Sequence, residues 1–281
     1  MERPVIGFLT DFGPESAAAI CRGVMLGIAR DAQIVDISHS VRKFAILEGA
    51  YLLWSAVPWL PVGIHLAVVD PGVGTARLPV AIRAARGDVL VGPDNGVLMP
   101  AAAVLGGAVE ARVIENPELM LPQTASTFHG RDIFAPVAAH LAAGRRFDEV
   151  GRVMPIESLV ALGFPSPEIA DGVLEATVAY VDSFGNLRMF ATPADLSAAL
   201  GDLSAGGALE LELPADPGAP RLEAAAWGRT FADRPVGALL VYTDSSGLLA
   251  ISENQGHAAD RLGIGTGGAI RLHSARSRGG G

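Results

Sequence analysis

Residues 5 to 38 read VIGFLTDFGPESAAAICRGVMLGIARDAQIVDIS, and this stretch holds the pattern that decides the fold. Two short runs rich in β-branched residues, VIGFLT (5–10) and QIVDIS (33–38), flank a segment of helical periodicity over residues 16 to 30. A strand, a helix and a second strand of these lengths are typical of a βαβ unit with parallel strands. We therefore expect an α/β domain at the start of the chain.

The same rhythm continues outward from this stretch. GIHLAVVD (63–70) is a third predicted buried strand, and a helical pattern over residues 44 to 57 precedes it. PVAIRA (79–84), DVLVGP (88–93) and a helix through RDIFAPVAAHLAAG (131–144) extend the sheet. We predict a mostly parallel, Rossmann-like α/β domain over residues 1–152, with a candidate ligand site beyond the carboxyl ends of its strands.

The second half of the chain has a different pattern. Segments such as LEATVAYVDSFGNLRMF (174–190) and GALLVYTDSSGLLAIS (237–252) alternate polar and apolar residues between Gly, Asp and Ser turns. This pattern predicts a small antiparallel β-barrel over residues 172–273, with one helix near 193–200. Prolines in residues 153–171 indicate a linker, and we expect a disordered tail at 274–281.

Composition narrows the class of protein. The formal net charge of −9 repels phosphate backbones, so nucleic acid is not an expected partner. One cysteine among 281 residues excludes an internal disulfide, and no secretory signal is recognisable, so we expect a cytoplasmic location. Every apolar run is shorter than the roughly 20 residues that span a bilayer, so no membrane partner is expected either.

Polar residues follow several of the predicted strands. Asp11 comes after the first strand, Asp70 after the third, and Asp94 and Asn95 after another. Each alone fits an ordinary turn. A turn does not require His129 of STFHGRD (126–132) or Arg77. These two ionisable residues and the polar residues after the strands therefore together predict a site.

The residues alone leave three kinds of site open. Asp11, Asp70, Asn95 and His129 could be metal ligands, although no tight ligand spacing such as His-x-His occurs. A Ser-His-Asp triad lacks the G-x-S-x-G elbow, and GVG (72–74) is a weak nucleotide-binding signal.

Six motifs narrow the choice. TDFG (10–13), VDPGVGTAR (69–77), GPDNG (92–96), TFHGRDIFAPVAAHLAAG (127–144), VDSFGN (181–186) and SSGLLAISENQG (245–256) resemble the S-adenosyl-L-methionine (SAM) hydroxide adenosyltransferases in order and spacing. These enzymes are related to the bacterial fluorinase and chlorinase. The resemblance covers nearly the whole chain and agrees with the predicted α/β domain and β-barrel.

The resemblance implies a reaction and an assembly. The reaction is hydrolysis of SAM to adenosine and L-methionine by water-derived hydroxide, with Asp70, Arg77 and His129 as the catalytic residues. SAM is then the substrate, and neither a cofactor nor a metal ion is expected. The implied assembly is a homotrimer whose active sites lie between the N-terminal domain of one subunit and the C-terminal domain of its neighbour.

The resemblance also implies substrate contacts. Asp11 should bind the ribose diol, because a carboxylate accepts hydrogen bonds from both hydroxyls. The other expected contacts, to the adenine or the methionine, are Phe44, Asp94, Asn95, Phe128, Asp182, Phe184, Asn186, Ser245, Ser246 and Asn254.

Two segments depart from the family pattern. After TDFG the chain reads PESAAAICRG, which leaves Glu15 or Ser16 to hold the methionine ammonium, and after DISHS it reads VRKFAILEGA, with Phe44 as the adenine neighbour. We interpret Asp132 as a helix cap paired with Arg131, and lone histidines such as His39 as packing or surface residues.

Three functions compete with hydrolysis. A nucleoside-binding regulatory module would bind without turnover, and a metal-dependent hydrolase would need a divalent ion. A SAM-dependent halogenase is less favoured, because the fluorinase has a serine where this chain has Gly130.

Overall fold

The computed structural model describes residues 3–122, 125–214 and 218–275. Its contacts divide the chain into two units, Met1–Gly163 and Phe164–Gly281, with the boundary inside the stretch predicted as a linker. Each unit has its own hydrophobic core. The last strand ends at Ser274, and residues 276–281 of the predicted tail lie outside the described part.

The first unit is built on a seven-stranded sheet in the order β2-β1-β3-β5-β4-β6-β7. Strands β2, β1, β3 and β5 pair in parallel, and β4, β6 and β7 each pair antiparallel to their neighbours. Strands β1, β2, β3, β5 and β6 therefore run in one direction, and the predicted mostly parallel class is confirmed. The strands are β1 (Val5–Thr10), β2 (Gln33–Ser38), β3 (Ile64–Val68), β4 (Pro79–Ala84), β5 (Val89–Pro93), β6 (Ala108–Val113) and β7 (Val153–Met154).

In the described part of this unit, four α-helices accompany the sheet: α1 (Ser16–Ile28), α2 (Ile46–Ala56), α3 (Met99–Val104) and α4 (Ala135–Ala142). Helix α1 buries Ala18, Cys21 and Met25, which are three and four residues apart and so share one face. Together with α4 it covers the core strands β1 and β3. Among the described residues, no helix has the length and apolar character needed to cross a bilayer.

Strand β2 differs from the prediction of a buried strand. Its residues are exposed or half-buried, whereas every residue of β1 is buried. The cause is position, because β2 is the edge of the sheet. The local run of β-branched residues does not distinguish an edge strand from a central one.

The second unit is a closed barrel, as the sequence predicts. Its sheet has the order β10-β14-β13-β12-β11-β15-β9-β8, and an additional β10–β9 pairing closes seven of these strands into a ring. All pairs are antiparallel except β12 with β13. The elements are β8 (Glu168–Ala170), β9 (Val173–Val181), β10 (Leu187–Met189), α5 (Pro193–Leu200), β11 (Ala208–Leu213), β12 (Arg221–Trp227), β13 (Leu239–Thr243), β14 (Leu249–Glu253), α6 (Ala258–Leu262) and β15 (Ala269–Ser274).

Candidate active site

A cavity of about 210 Å³ opens in the first unit, where β1 and β3 end. Five of the residues predicted from sequence line it: Asp11, Phe44, Asp70, Phe128 and His129. The cavity therefore lies where a parallel α/β sheet is expected to bind a ligand.

Asp70, Arg77 and His129 form one hydrogen-bonded group at this cavity. The Arg77 guanidinium donates two bonds to the Asp70 carboxylate, from Nε to Oδ1 at 3.1 Å and from Nη2 to Oδ2. Arg77 Nη2 also lies 3.2 Å from Nδ1 of His129. The side chains of Asp70 and Arg77 are 6% and 7% exposed, so this ion pair is held away from bulk water.

The loop between β3 and β4 brings Arg77 back to Asp70. Thr75 fastens it, because its hydroxyl donates to the Gly72 carbonyl at 2.7 Å and accepts from the Arg77 amide at 3.3 Å. Gly74 has φ of +79°, and a Cβ there would lie 2.8 Å from the Ser126 carbonyl oxygen. This turn therefore requires glycine on both counts.

The Arg77 contact decides the tautomer of His129. Arginine has no acceptor, so Nδ1 of His129 must accept, and the neutral ring carries its proton on Nε2. Burial lowers the pKa of His129, and the Arg77 charge lowers it further, against the smaller opposing effect of Asp70. The neutral imidazole is therefore the favoured form, with Nε2–H as its remaining donor.

A π-helical turn over Gly130–Phe134 follows His129. The Ala135 amide donates to the Gly130 carbonyl, five residues back, and Pro136, the second residue of α4, has no N–H to contribute. Such single turns contain one residue more than an α-helical turn and often occur at functional sites. Here the turn connects His129 to α4, in which six of the eight residues are buried.

Asp132 does not cap a helix, so that prediction was wrong. Its Oδ2 instead accepts from the Ala125 amide at 2.7 Å, and Arg131 donates to Oδ1 at 2.6 Å. Burial would raise the pKa of Asp132, but the bonds from Arg131 and Ala125 outweigh it and hold that pKa low. The expected Arg131–Asp132 pair is present, and it fastens the segment before His129.

Asp11 and Phe44 are joined across the mouth of the cavity. The Phe44 amide donates to Asp11 Oδ2 at 2.9 Å, and Phe44 has φ of +69°, which is rare for a bulky residue. The base of this loop is fixed by Glu48, a buried carboxylate that accepts from the Arg42 amide at 2.9 Å. A strained conformation of this kind persists only where the surrounding structure enforces it. Here the conformation turns the Phe44 amide toward Asp11.

Aromatic packing shapes the wall near His129. Phe12 and Phe128 meet edge to face with ring centroids 5.8 Å apart. A Cβ on Gly130 would lie 2.8 Å from Cζ of Phe12, so any side chain there would displace this ring.

Asp94 and Asn95 do not line the cavity. Asp94 Oδ1 accepts from the Val160 amide at 2.9 Å, and burial raises the pKa of Asp94 against the effects of that bond and of Arg77. The Asn95 side-chain amide donates to the Val69 carbonyl at 2.8 Å and accepts from the Val97 amide at 3.2 Å. Glu15 and Ser16 are not among the lining residues either.

The remaining predicted residues belong to the second unit. Asp182 organises the turn after β9, because its Oδ1 accepts from the amides of Phe184 and Asn186, both at 3.0 Å. Arg188 connects this turn to the β13–β14 turn, because it donates to Asp182 at 3.2 Å and to Asp244 at 2.9 Å. Phe184 is 76% exposed at the tip of its turn.

The last three residues predicted to contact the ligand are Ser245, Ser246 and Asn254. Ser245 and Ser246 lie in the β13–β14 turn, where Asp244 Oδ1 accepts from the Ser246 amide at 2.7 Å. Asn254 is buried and donates to the Arg234 carbonyl at 2.7 Å. The turn and these hydrogen bonds within the protein account for part of the role of the three residues, and their contact with a ligand stays a prediction.

Sequence reasoning missed several residues that line the cavity: Phe12, Lys43, Val68, Val73 and Thr127. Each is within three residues of a predicted one, so continuity along the loops was the signal that could have found them. Within the described residues, no group of three or more His, Cys, Asp or Glu side chains is arranged to hold a metal ion.

Comparison with protein families gives matches over both units. The model of the SAM hydroxide adenosyltransferase N-terminal domain matches residues 6–151, and that of the C-terminal domain matches residues 176–271. A protein of Salinispora arenicola named (R)-S-adenosyl-L-methionine hydrolase is 41% identical over 96% of this chain and 97% of its own length. A fluorinase from an Actinoplanes species is 30% identical, covering 89% of this chain and 91% of its own.

Solved structures agree. The crystal structure of an uncharacterized conserved protein from Thermotoga maritima has a TM-score of 0.87 and 34% identity, covering 95% of this chain and 99% of that one.

Proposed function

Because the chain belongs to the SAM hydroxide adenosyltransferase family, we propose that it hydrolyses S-adenosyl-L-methionine to adenosine and L-methionine. The observation that carries this function is the Asp70–Arg77–His129 group at the cavity. It offers a buried positive charge and a ring N–H donor, which suit a reaction in which oxygen attacks as hydroxide.

The bond changes are simple. The oxygen of water forms a bond to ribose C5′ as the C5′–S bond breaks, the sulfur keeps the electron pair, and the water gives up one proton to solvent. The sulfonium is an activated leaving group, so the enzyme contributes mainly alignment and electrostatic stabilisation of the nucleophile.

Each residue of the group then has a distinct role. Arg77 favours hydroxide over water by its charge, and Asp70 fixes the guanidinium through both carboxylate oxygens. His129 donates from Nε2 to the oxygen nucleophile, because Nδ1 is occupied by Arg77. The same nitrogen cannot act as the base while it carries that proton.

Asp11 and the aromatic residues would hold the nucleoside. Asp11 Oδ2 already accepts from Phe44, and Oδ1 is directed to no partner that the described residues provide, which leaves it for the ribose diol. Phe44 and Phe128 provide ring surfaces in the same cavity for the adenosyl group.

The proposed assembly is a homotrimer with active sites shared between subunits. The support is the family resemblance together with two aromatic side chains, Phe44 and Phe184, that are 67% and 76% exposed. In the trimer, the turn after β9 of one subunit would face the cavity of its neighbour. The net charge of −9 supports a protein without nucleic-acid partners, and a cytoplasmic location stays a prediction from the cysteine count.

The reaction would need no metal ion or cofactor, since Arg77 and His129 already provide the positive charge and the donor. Turnover should therefore survive prolonged chelation. Loss of activity that one divalent ion restores would instead support the metal-dependent hydrolase.

Labelled water tests the nucleophile. In ¹⁸O-water we expect the label in the 5′-hydroxyl of adenosine, and excess chloride or fluoride should give no 5′-halo nucleoside. The halogenase alternative conflicts with Gly130, where the packing of Phe12 leaves no room for a side chain. Unlabelled adenosine, a halogenated product, or tight SAM binding without any turnover would each contradict the proposed function.

A further inference from the structure

We propose that His39, through the buried hydroxyl of Thr10, is a positioning residue for the loop of residues 11 to 13 and so for the carboxylate of Asp11. This inference rests on the proposed function, because that function gives Asp11 its ribose ligand. His39 is not among the residues that line the cavity. Its effect would pass entirely through the loop.

A chain of hydrogen bonds leads from the protein surface to this loop. Arg22 of α1 pairs with Asp36 of β2. Asp36 Oδ1 lies 3.0 Å from His39 Nε2, and His39 Nδ1 lies 2.9 Å from Thr10 Oγ1. Thr10 Oγ1 in turn accepts from the Phe12 amide at 3.2 Å.

Chemistry fixes the direction of these bonds when His39 is neutral. Asp36 as a carboxylate can only accept, so Nε2 of His39 carries the ring proton and Nδ1 is the acceptor. The Thr10 hydroxyl therefore donates to His39 and accepts from Phe12. Burial raises the pKa of Asp36, but the hydrogen bonds from Arg22 and His39 outweigh it and keep that pKa below its usual value.

His39 holds the loop by its backbone as well. Its carbonyl accepts from the Gly13 amide at 2.7 Å, and its ring meets Phe8 edge to face with centroids 4.6 Å apart. Asp11 thus lies between two points that depend on His39, the Thr10 hydroxyl and the Gly13 amide. The third constraint on Asp11 is the Phe44 amide on its carboxylate.

Thr10 is the best position for a test because it is fully buried and its hydroxyl has two defined partners. Thr10→Val removes the hydroxyl with little change of shape and leaves the Phe12 amide and His39 Nδ1 unpaired. Thr10→Ser keeps the hydroxyl and should restore the chain of bonds. A purely volumetric role would give the opposite order, since serine leaves the larger cavity.

The primary measurement needs no substrate. Amide hydrogen exchange at residues 11 to 13 and at Phe44 should be at least about tenfold faster in Thr10→Val and His39→Ala than in the wild type. Thr10→Ser, and His39→Asn with its amide oxygen near the former Nδ1, should remain close to the wild type. His140→Asn, on the half-buried side of α4, is the matched histidine control and should change nothing in the loop.

The functional measurement separates binding from chemistry. For Thr10→Val we expect KM for SAM and Kd for adenosine to rise about tenfold, which corresponds to about 1.4 kcal/mol, with a smaller change in kcat. Unchanged exchange in Thr10→Val and His39→Ala, or a Thr10→Ser variant as impaired as Thr10→Val, would overturn the proposal. If the wild type binds no SAM, the proposed function is contradicted instead. The hydrogen-exchange data would still decide whether His39 positions the loop.

Discussion

The charge state of His129 sets how activity should depend on pH. Burial and the Arg77 charge both lower its pKa, so the neutral ring with Nε2–H persists below the ordinary histidine value of about 6.5. We expect kcat/KM to be level above about pH 6.5 and to fall only at lower pH. An acid limb centred above about 6.5, measured from initial rates across pH, would contradict the assigned tautomer and role.

The same shift has a consequence for stability. The folded pKa is depressed, so the unfolded chain binds the proton first, and stability is lost as pH falls below about 6.5. His129→Asn should reduce this pH dependence in thermal unfolding.

Arg77 should not be replaceable by lysine. Lysine keeps the charge but cannot donate to both Asp70 oxygens and to His129 in one plane. We expect Arg77→Lys to lower kcat/KM for SAM by about 100-fold, within the range expected of groups that act on the nucleophile. Arg145→Lys, in an exposed pair with Glu149, is the matched control. Near-normal rates in Arg77→Lys would show that charge alone is sufficient.

At the scale of elements, the turn after β5 has a structural task. Asp94 accepts from Val160 and has a raised pKa, so the folded state holds its proton more tightly than the unfolded chain does. Its contribution to stability therefore falls as pH rises from about 4 through the folded pKa. Asp94→Asn keeps an acceptor for Val160 and removes a half-buried charge.

We expect Asp94→Asn to unfold at an equal or higher temperature at pH 7 and to bind adenosine within about twofold of the wild type. Calorimetric unfolding and titration measure the two quantities. A clear loss of adenosine affinity would instead support the contact predicted from sequence.

Local patterns predicted the elements better than their pairing. The runs at 5–10 and 33–38 coincide with β1 and β2, because β-branched residues favour strands wherever they pair. The exposed edge position of β2, the parallel β12–β13 pair and the β10–β14 pair of the ring depend on distant partners, and no local alternation encodes them.

The site shows the same division. Asp70, Arg77 and His129 are ionisable residues of the quoted motifs and are hydrogen-bonded to one another, whereas Phe12 and Val73 are apolar and line the cavity only because of how their loops fold. Asn95 has the chemistry of a ligand contact, but its amide is used by backbone groups.

For the whole molecule, the proposed homotrimer, with active sites shared between subunits, predicts complementation between variant chains. A chain with His129→Ala has a defective cavity, and one with Phe184→Ala has a defective turn after β9. If each site takes one part from each subunit, mixed trimers contain some sites with both parts intact. Co-refolded mixtures should then be more active than the sum of the separate variants.

Sedimentation should give a mass of three times the chain mass of 28.9 kDa. A mixture that is no more active than its components, or a monomer with full activity, would show that each chain forms its own site.

Because residues Gly130–Phe134 form a π-helical turn, the number of residues in this segment matters as much as their identity. Removing one residue would restore ordinary α-helical hydrogen bonding and rotate everything before it by roughly 100° about the helix axis. His129 would then point away from Arg77 with its own chemistry unchanged. Among descendants of this sequence, insertions and deletions in this turn should therefore be lost, even where they leave the side chain of His129 unchanged.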